Sequence, residues 1–142
     1  DRIRKSRNYN VALSCMRQVS FGLLDMAYYT MDKPFTDDII PFEKKAWAKA
    51  IITPQLPETC MTTQFSHIMA AGYYSYKWAE VLDADAFSVF KAHGIFDRET
   101  AQRFRDDILS KGGTEHPMVL YKRFRGQEPT IEALLKRNGI KR

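Results

Sequence analysis

Tyr73-Tyr74-Ser75-Tyr76-Lys77-Trp78-Ala79-Glu80-Val81-Leu82-Asp83-Ala84-Asp85-Ala86-Phe87-Ser88-Val89-Phe90-Lys91-Ala92-His93 runs directly into Gly94. Tyr74, Trp78, Val81, Leu82, Ala86, Val89 and Phe90 recur at steps of three and four, the period of a helix face and not of a strand. Gly94 follows as a helix stop. The spacing predicts a helix from about Tyr73 to His93, with Tyr74, Trp78 and Val81 on its apolar stripe.

The same period continues on both sides. Upstream, Ile3 to Thr30 reads as one or two helices, with Val11, Cys15, Val19, Leu23 and Met26 on one stripe and Leu24 and Ala27 beside it. Gly22 inside that pattern suggests a close approach. Pro34 disfavours helical geometry before it and closes the segment. Thr36 suits the N-cap of a helix through Trp47 and Ile51. Thr53 to Thr59 is a loop by its prolines. Downstream, Asp97 caps a helix through Phe104 and Leu109, stopped by Gly112-Gly113. Pro117 opens a helix to Phe124 that Gly126 closes. Thr130 caps a last helix, Ile131 to Arg137. No segment alternates as a strand would. The expected fold class is all-α, residues 1–142 forming one packed unit.

The chain has 142 residues, 44% of them hydrophobic, too apolar for a disordered tail. No apolar run approaches the roughly 18–20 residues that span a bilayer. The first residues carry no Met and lead straight into helical periodicity, so the chain is expected to be a piece of a longer polypeptide. The net charge of +5 is concentrated near the end, in Lys122, Arg123, Arg125, Lys136, Arg137, Lys141 and Arg142. Such a surface suits nucleic acid or an acidic partner. It also suits a solvated face, or one docked on an acidic upstream domain, and the dispersed basic residues and interleaved carboxylates favour that reading. Cys15 and Cys60 have no metal-ligand spacing and read as reduced and buried.

A helix starting near Tyr73 puts Tyr73, Tyr76, Lys77 and Glu80 on one face. Two phenols, an ammonium and a carboxylate make a poor core, because each polar head needs a partner once buried. A protonated phenol donates a hydrogen bond and suits an oxyanion in acyl transfer. His67, ahead of the small residues Ala70-Ala71-Gly72, could donate to the same substrate. Against this stands the plainer reading, in which Tyr74 and Trp78 are core, Tyr73 and Tyr76 are rim residues, and His67 is a turn residue.

Gly72-Tyr73-Tyr74-Ser75-Tyr76-Lys77-Trp78-Ala79-Glu80-Val81-Leu82 resembles the Tyr-rich helix start of the zinc-dependent oligopeptidases, the thimet oligopeptidase and peptidyl-dipeptidase family, more closely its bacterial peptidyl-dipeptidase branch. The likeness extends upstream through Leu23-Leu24-Asp25-Met26 and Phe65-Ser66-His67-Ile68. Downstream it takes in Gly94-Ile95-Phe96, Arg103-Phe104-Arg105, Ile108-Leu109-Ser110, Gly112-Gly113, Phe124-Arg125-Gly126 and Glu128-Pro129.

The resemblance implies that this is the C-terminal helical part of the catalytic domain of a mostly helical zinc peptidase acting on short peptides, cytoplasmic or periplasmic. His67 and Tyr76 then match catalytic positions, and His67, Tyr73 and Tyr76 match substrate-binding ones. Such peptidases hold zinc with a His-Glu-x-x-His helix. That motif is absent here, so zinc is expected in an upstream part of the same polypeptide and none on this chain alone, which is expected to be inactive by itself. Neither nucleic acid nor membrane is an implied partner. The family's loop between the histidine and the Tyr-rich helix is about four residues longer, which leaves either a deletion or an omitted loop. The rival functions are a helical adaptor or nucleic-acid-binding module, and an inactive peptidase-derived structural domain.

Overall fold

The structure is a computed structural model and describes residues 2–68 and 71–140. The shortened stretch at Met69 and Ala70, and the basic pair Lys141 and Arg142, lie outside the described residues. The described residues form helices and connecting turns, with no strand among them. No helix among them is long and apolar enough to cross a membrane. The expected single unit resolves into two compact ones, residues 1–78 and 79–142.

In the first unit, α1 (Arg2–Arg7) and α2 (Val11–Tyr29) are separated at Asn10, which sits in the left-handed region at φ 57°. Asparagine tolerates that conformation better than most residues, so the chain turns there. The buried seam of α2 is Phe21, Leu24 and Asp25, not the Val11–Met26 stripe: Leu23 and Met26 are exposed. The seam takes this face because Phe21 and Leu24 meet Trp47 and Ile68, with Tyr28, Phe42, Phe65 and Tyr73 packed around them. Gly22 faces the Tyr74 backbone, where an added Cβ would lie 3.9 Å away, an ordinary contact.

The third helix, α3 (Ile39–Trp47), is capped by Asp38, not Thr36. The Asp38 carboxylate accepts from the Ile40 N–H at 3.2 Å, and the chain leaves the helix after Trp47, short of Ile51. Pro41 falls in the first turn, where its missing N–H costs nothing.

The long helix α4 (Ser75–His93) begins two residues later than expected. Tyr73 and Tyr74 therefore belong to the turn before it. This overturns the expected stripe: Tyr74 is 60% exposed and Trp78 46%, whereas Val81 is buried.

In the second unit, α4 contributes Val81 and Ala84, packed with Leu134 of α7 (Glu132–Arg137). It also contributes Ala86, packed with Tyr121 and Phe124 of α6 (Pro117–Arg125). The fifth helix, α5 (Arg98–Phe104), is capped by Asp97, whose carboxylate accepts from the Thr100 N–H at 2.8 Å. It passes into a π turn, Arg105–Leu109, closed by the Ser110 N–H donating to the Arg105 carbonyl. Pro117 and Gly126 (φ 82°) bound α6 as expected, but the cap is the His116 imidazole, which accepts from Met118 N–H. Ile131, not Thr130, precedes α7, with no side-chain cap.

Buried Asp85 is met by Tyr121 Oη at 2.6 Å and Arg125 Nε at 3.0 Å. Arg125 is thus paired, as are Lys122 with Glu128, Arg123 with Glu115, and Arg137 with Asp83. Four of the seven basic residues singled out in the C-terminal segment, Lys122, Arg123, Arg125 and Arg137, therefore face carboxylates within the unit. Cys15 and Cys60 are free thiols, as expected, but only half-buried.

Candidate functional site

All three expected site residues fall in the first unit, on the stretch between Met61 and the first turn of α4. This stretch starts as turns with little repetitive structure, so tertiary contacts have to shape it. At its front, the Met61 N–H donates to both oxygens of Glu43 at 2.9 Å, and the Thr62 N–H donates to Glu43 Oε2 at 3.2 Å. Tyr28 Oη and Thr62 Oγ1 are 2.9 Å apart. At its back, the Tyr73 N–H donates to Asp25 Oδ2 at 3.0 Å. That bond holds the turn before α4 against α2 and directs the Tyr73 ring onto Phe21, 5.6 Å between centroids and edge to face.

A chain of ring contacts then joins the three residues. His67 lies 5.5 Å from Phe65, Phe65 lies 5.4 Å from Tyr73, and Tyr73 lies 5.1 Å from Tyr76. Phe21 backs this chain, 4.5 Å from Phe65, and carries the Arg17 guanidinium over its ring at 5.3 Å. The expected pairing of Tyr73 with Tyr76 on one face is present. His67 and Tyr76 stand at opposite ends of the chain of contacts, linked through Phe65 and Tyr73. His67 is exposed, Tyr73 is half-buried, and Tyr76 is 48% exposed. Phe65 is the link that the sequence reading passed over.

Burial, and then the neighbouring Tyr76 phenol, push the Tyr73 phenol above the usual value of 10.0, with Arg17 and Lys77 pulling the other way. Tyr73 therefore keeps its proton at neutral pH and remains a hydrogen-bond donor. The arrangement offers donors on an aromatic shelf: an exposed imidazole, a half-buried phenol and a half-exposed one. Two cavities of about 520 and 500 Å³ flank the shelf, reaching Phe21 and Phe65 respectively, and neither is lined by His67, Tyr73 or Tyr76.

No group of three His, Cys, Asp or Glu side chains among the described residues comes together as a metal site requires. The described residues offer zinc no such set of ligands, and what they bring together here are hydrogen-bond donors.

Asp25 and Glu43 escaped the sequence reading as site elements. Asp25 had one signal, a carboxylate inside the apolar run Leu23-Leu24-Asp25-Met26. Glu43, beside Lys44 and Lys45, looks like any surface acid.

The sequence matches known proteins. The profile described as Peptidase family M3 matches residues 1–140. Oligopeptidase A of Escherichia coli (strain K12) is 46% identical over 147 aligned positions, covering 99% of this chain and 22% of that protein. The probable cytosolic oligopeptidase A of Arabidopsis thaliana is 41% identical, over 95% of this chain and 20% of its own length. The dipeptidyl carboxypeptidase of Salmonella typhimurium (strain LT2) is 32% identical, over 100% of this chain and 22% of its own. These identities shift the likeness away from the peptidyl-dipeptidase branch and towards oligopeptidase A. The 147-position alignment exceeds the 142 residues of this chain, so that relative carries internal residues this chain lacks. The chain spans about a fifth of the length of the curated relatives it matches. A profile match across nearly every residue, on a helical fold, makes the chain a member of peptidase family M3.

Proposed function

We propose that this chain forms one wall of the substrate channel of an M3 peptidase that hydrolyses short peptides, with Tyr76 and His67 directed at the scissile carbonyl and Tyr73 beside them. The higher identity to oligopeptidase A than to dipeptidyl carboxypeptidase favours an oligopeptidase. In this reading the zinc that the family resemblance implies is held by residues in another part of the parent polypeptide.

The observation that carries the proposal is Tyr76, half-exposed in the first turn of α4 with its ring 5.1 Å from Tyr73. When water adds to a peptide carbonyl, the oxygen gains negative charge that the ground state lacks. A phenol O–H donated at that moment stabilises the transition state more than the substrate, which is what raises kcat. Tyr73, protonated and packed on Phe65 and Phe21, fixes the neighbouring ring. His67 contributes a second donor or a substrate contact from the other end.

The test is Tyr76→Phe in the full-length parent. The expected result is a fall in kcat of about 10²–10³ with little change in KM, the usual cost of one lost oxyanion donor. Full turnover with phenylalanine there would remove Tyr76 from the transition state.

A further inference from the structure

Two carboxylates in the first unit have no solvent exposure at all, Asp25 and Glu43. Burying a carboxylate is costly, and an apolar side chain of similar size fills a core with less penalty. What these two provide is directional acceptance. Glu43 takes the amides of Met61 and Thr62, and Asp25 takes the amide of Tyr73. His67 lies between those two points of attachment.

We propose that Asp25 and Glu43 are positioning residues, a two-part clamp: Glu43 holds the Met61–Thr62 end of the turns that carry Phe65 and His67, and Asp25 holds the turn that carries Tyr73 into α4 beside Tyr76. The functional consequence rests on the reading of His67 and Tyr76 given above; the clamp itself does not.

The two ends are not chemically equivalent. Asp25 uses only one oxygen: Oδ2 accepts from Tyr73, while Oδ1 is buried with no hydrogen-bond partner among the described residues. An asparagine keeps an acceptor for Tyr73 and places its amide nitrogen at the idle position. Glu43 uses both oxygens, each 2.9 Å from the Met61 nitrogen. A glutamine must set an N–H₂ against a backbone N–H, donor facing donor. The clamp therefore tolerates Asp25→Asn and does not tolerate Glu43→Gln, although both changes replace a carboxyl by an amide.

Native-state amide exchange in the full-length parent tests the clamp. In the wild type, the Met61, Thr62 and Tyr73 amides should exchange at least about tenfold more slowly than those of exposed Thr63 and Ser66, a tenfold step being the usual worth of one hydrogen bond. Glu43→Gln should erase the protection at Met61, and Asp25→Ala that at Tyr73. Asp25→Asn should keep Tyr73 within about threefold of wild type, less than half that worth in free energy. Leu24→Ala, a core deletion that touches none of these bonds, should instead raise exchange through α2 and α3 together.

In the full-length parent, Asp25→Ala should lower kcat more than it raises KM, and Asp25→Asn should restore it. The Tyr76→Phe penalty should shrink in the Asp25→Ala background, since a misplaced phenol has less to lose. The clamp is overturned if the three wild-type amides exchange like Thr63, or if Glu43→Gln and Asp25→Asn behave alike. Additive penalties for Asp25→Ala and Tyr76→Phe overturn its positioning role. Full turnover in Tyr76→Phe alone defeats the functional reading and leaves the exchange pattern to decide the clamp.

Discussion

Adjacent tyrosines have different fates in this chain because one backbone bond separates them. The Tyr73 N–H is held by Asp25, its ring packs on Phe21 and Phe65, and Tyr74 is left 60% exposed. Helical periodicity alone assigned Tyr74 to the core, since it counted the helix from Tyr73, whereas α4 starts at Ser75. The neighbouring pair Tyr73 and Tyr76 was legible, because a three-residue step keeps two side chains close in either a helix or the turn that leads into one. Tyr74→Phe is accordingly the control for Tyr76→Phe. It removes an exposed hydroxyl away from the ring contacts, so turnover in the parent should stay near wild type and the melting temperature should hardly move. A loss of rate in Tyr74→Phe comparable to that in Tyr76→Phe would reverse the assignment of the two phenols.

At the scale of elements, helix ends were legible wherever the signal is local. Asp97, Gly94, Pro117 and Gly126 act at the positions their chemistry suggests. Thr36 and Thr130 did not, because a cap must face the first free amides, and Asp38 wins that place in α3. Asp97 gives α5 a pH signature. Its hydrogen bonds to Thr100 hold its carboxyl below the ordinary value of 3.8. A carboxyl with a depressed folded-state value stabilises the fold fully above its unfolded value, and that contribution fades as pH falls below it. Thermal melts between pH 6 and 2 should therefore show a steeper acid loss in wild type than in Asp97→Asn. Parallel curves for the two proteins would exclude the cap as a source of acid sensitivity.

For the whole molecule, the all-α class was legible from period alone, but the division into two units was not. Apolar spacing says which face is buried and nothing about which elements share a core. Nor did the sequence show that four of the basic residues, Arg125, Arg123, Lys122 and Arg137, each face a carboxylate. The Asp85 network also predicts alkaline behaviour. Burial, and then the hydrogen bond to Asp85, raise the Tyr121 phenol far above 10.0. Its contribution is therefore complete below about pH 10 and is lost as pH rises beyond it, since the unfolded chain ionises first. Tyr28 and Tyr73 are raised in the same direction, chiefly by burial. Tyr121→Phe should cost about 1 kcal/mol at pH 8, one net hydrogen bond. It should also lose less than wild type between pH 10 and 12 in urea titrations. An identical alkaline slope in both proteins would show that Tyr121 is not the group that titrates.

The two clamp bonds also differ in how far the chain must travel to make them. Glu43 reaches Met61 across 18 residues, whereas Asp25 reaches Tyr73 across 48. Loop closure makes the longer contact roughly 0.9 kcal/mol more expensive in chain entropy. On loop entropy alone, the nearer contact is expected to form before the farther one. In chevron measurements, Glu43→Gln should slow folding, while Asp25→Ala should mainly speed unfolding. The reverse partition would invert the order. In time, then, the expectation is that the tyrosine end is set in place after the Met61 end and released before it.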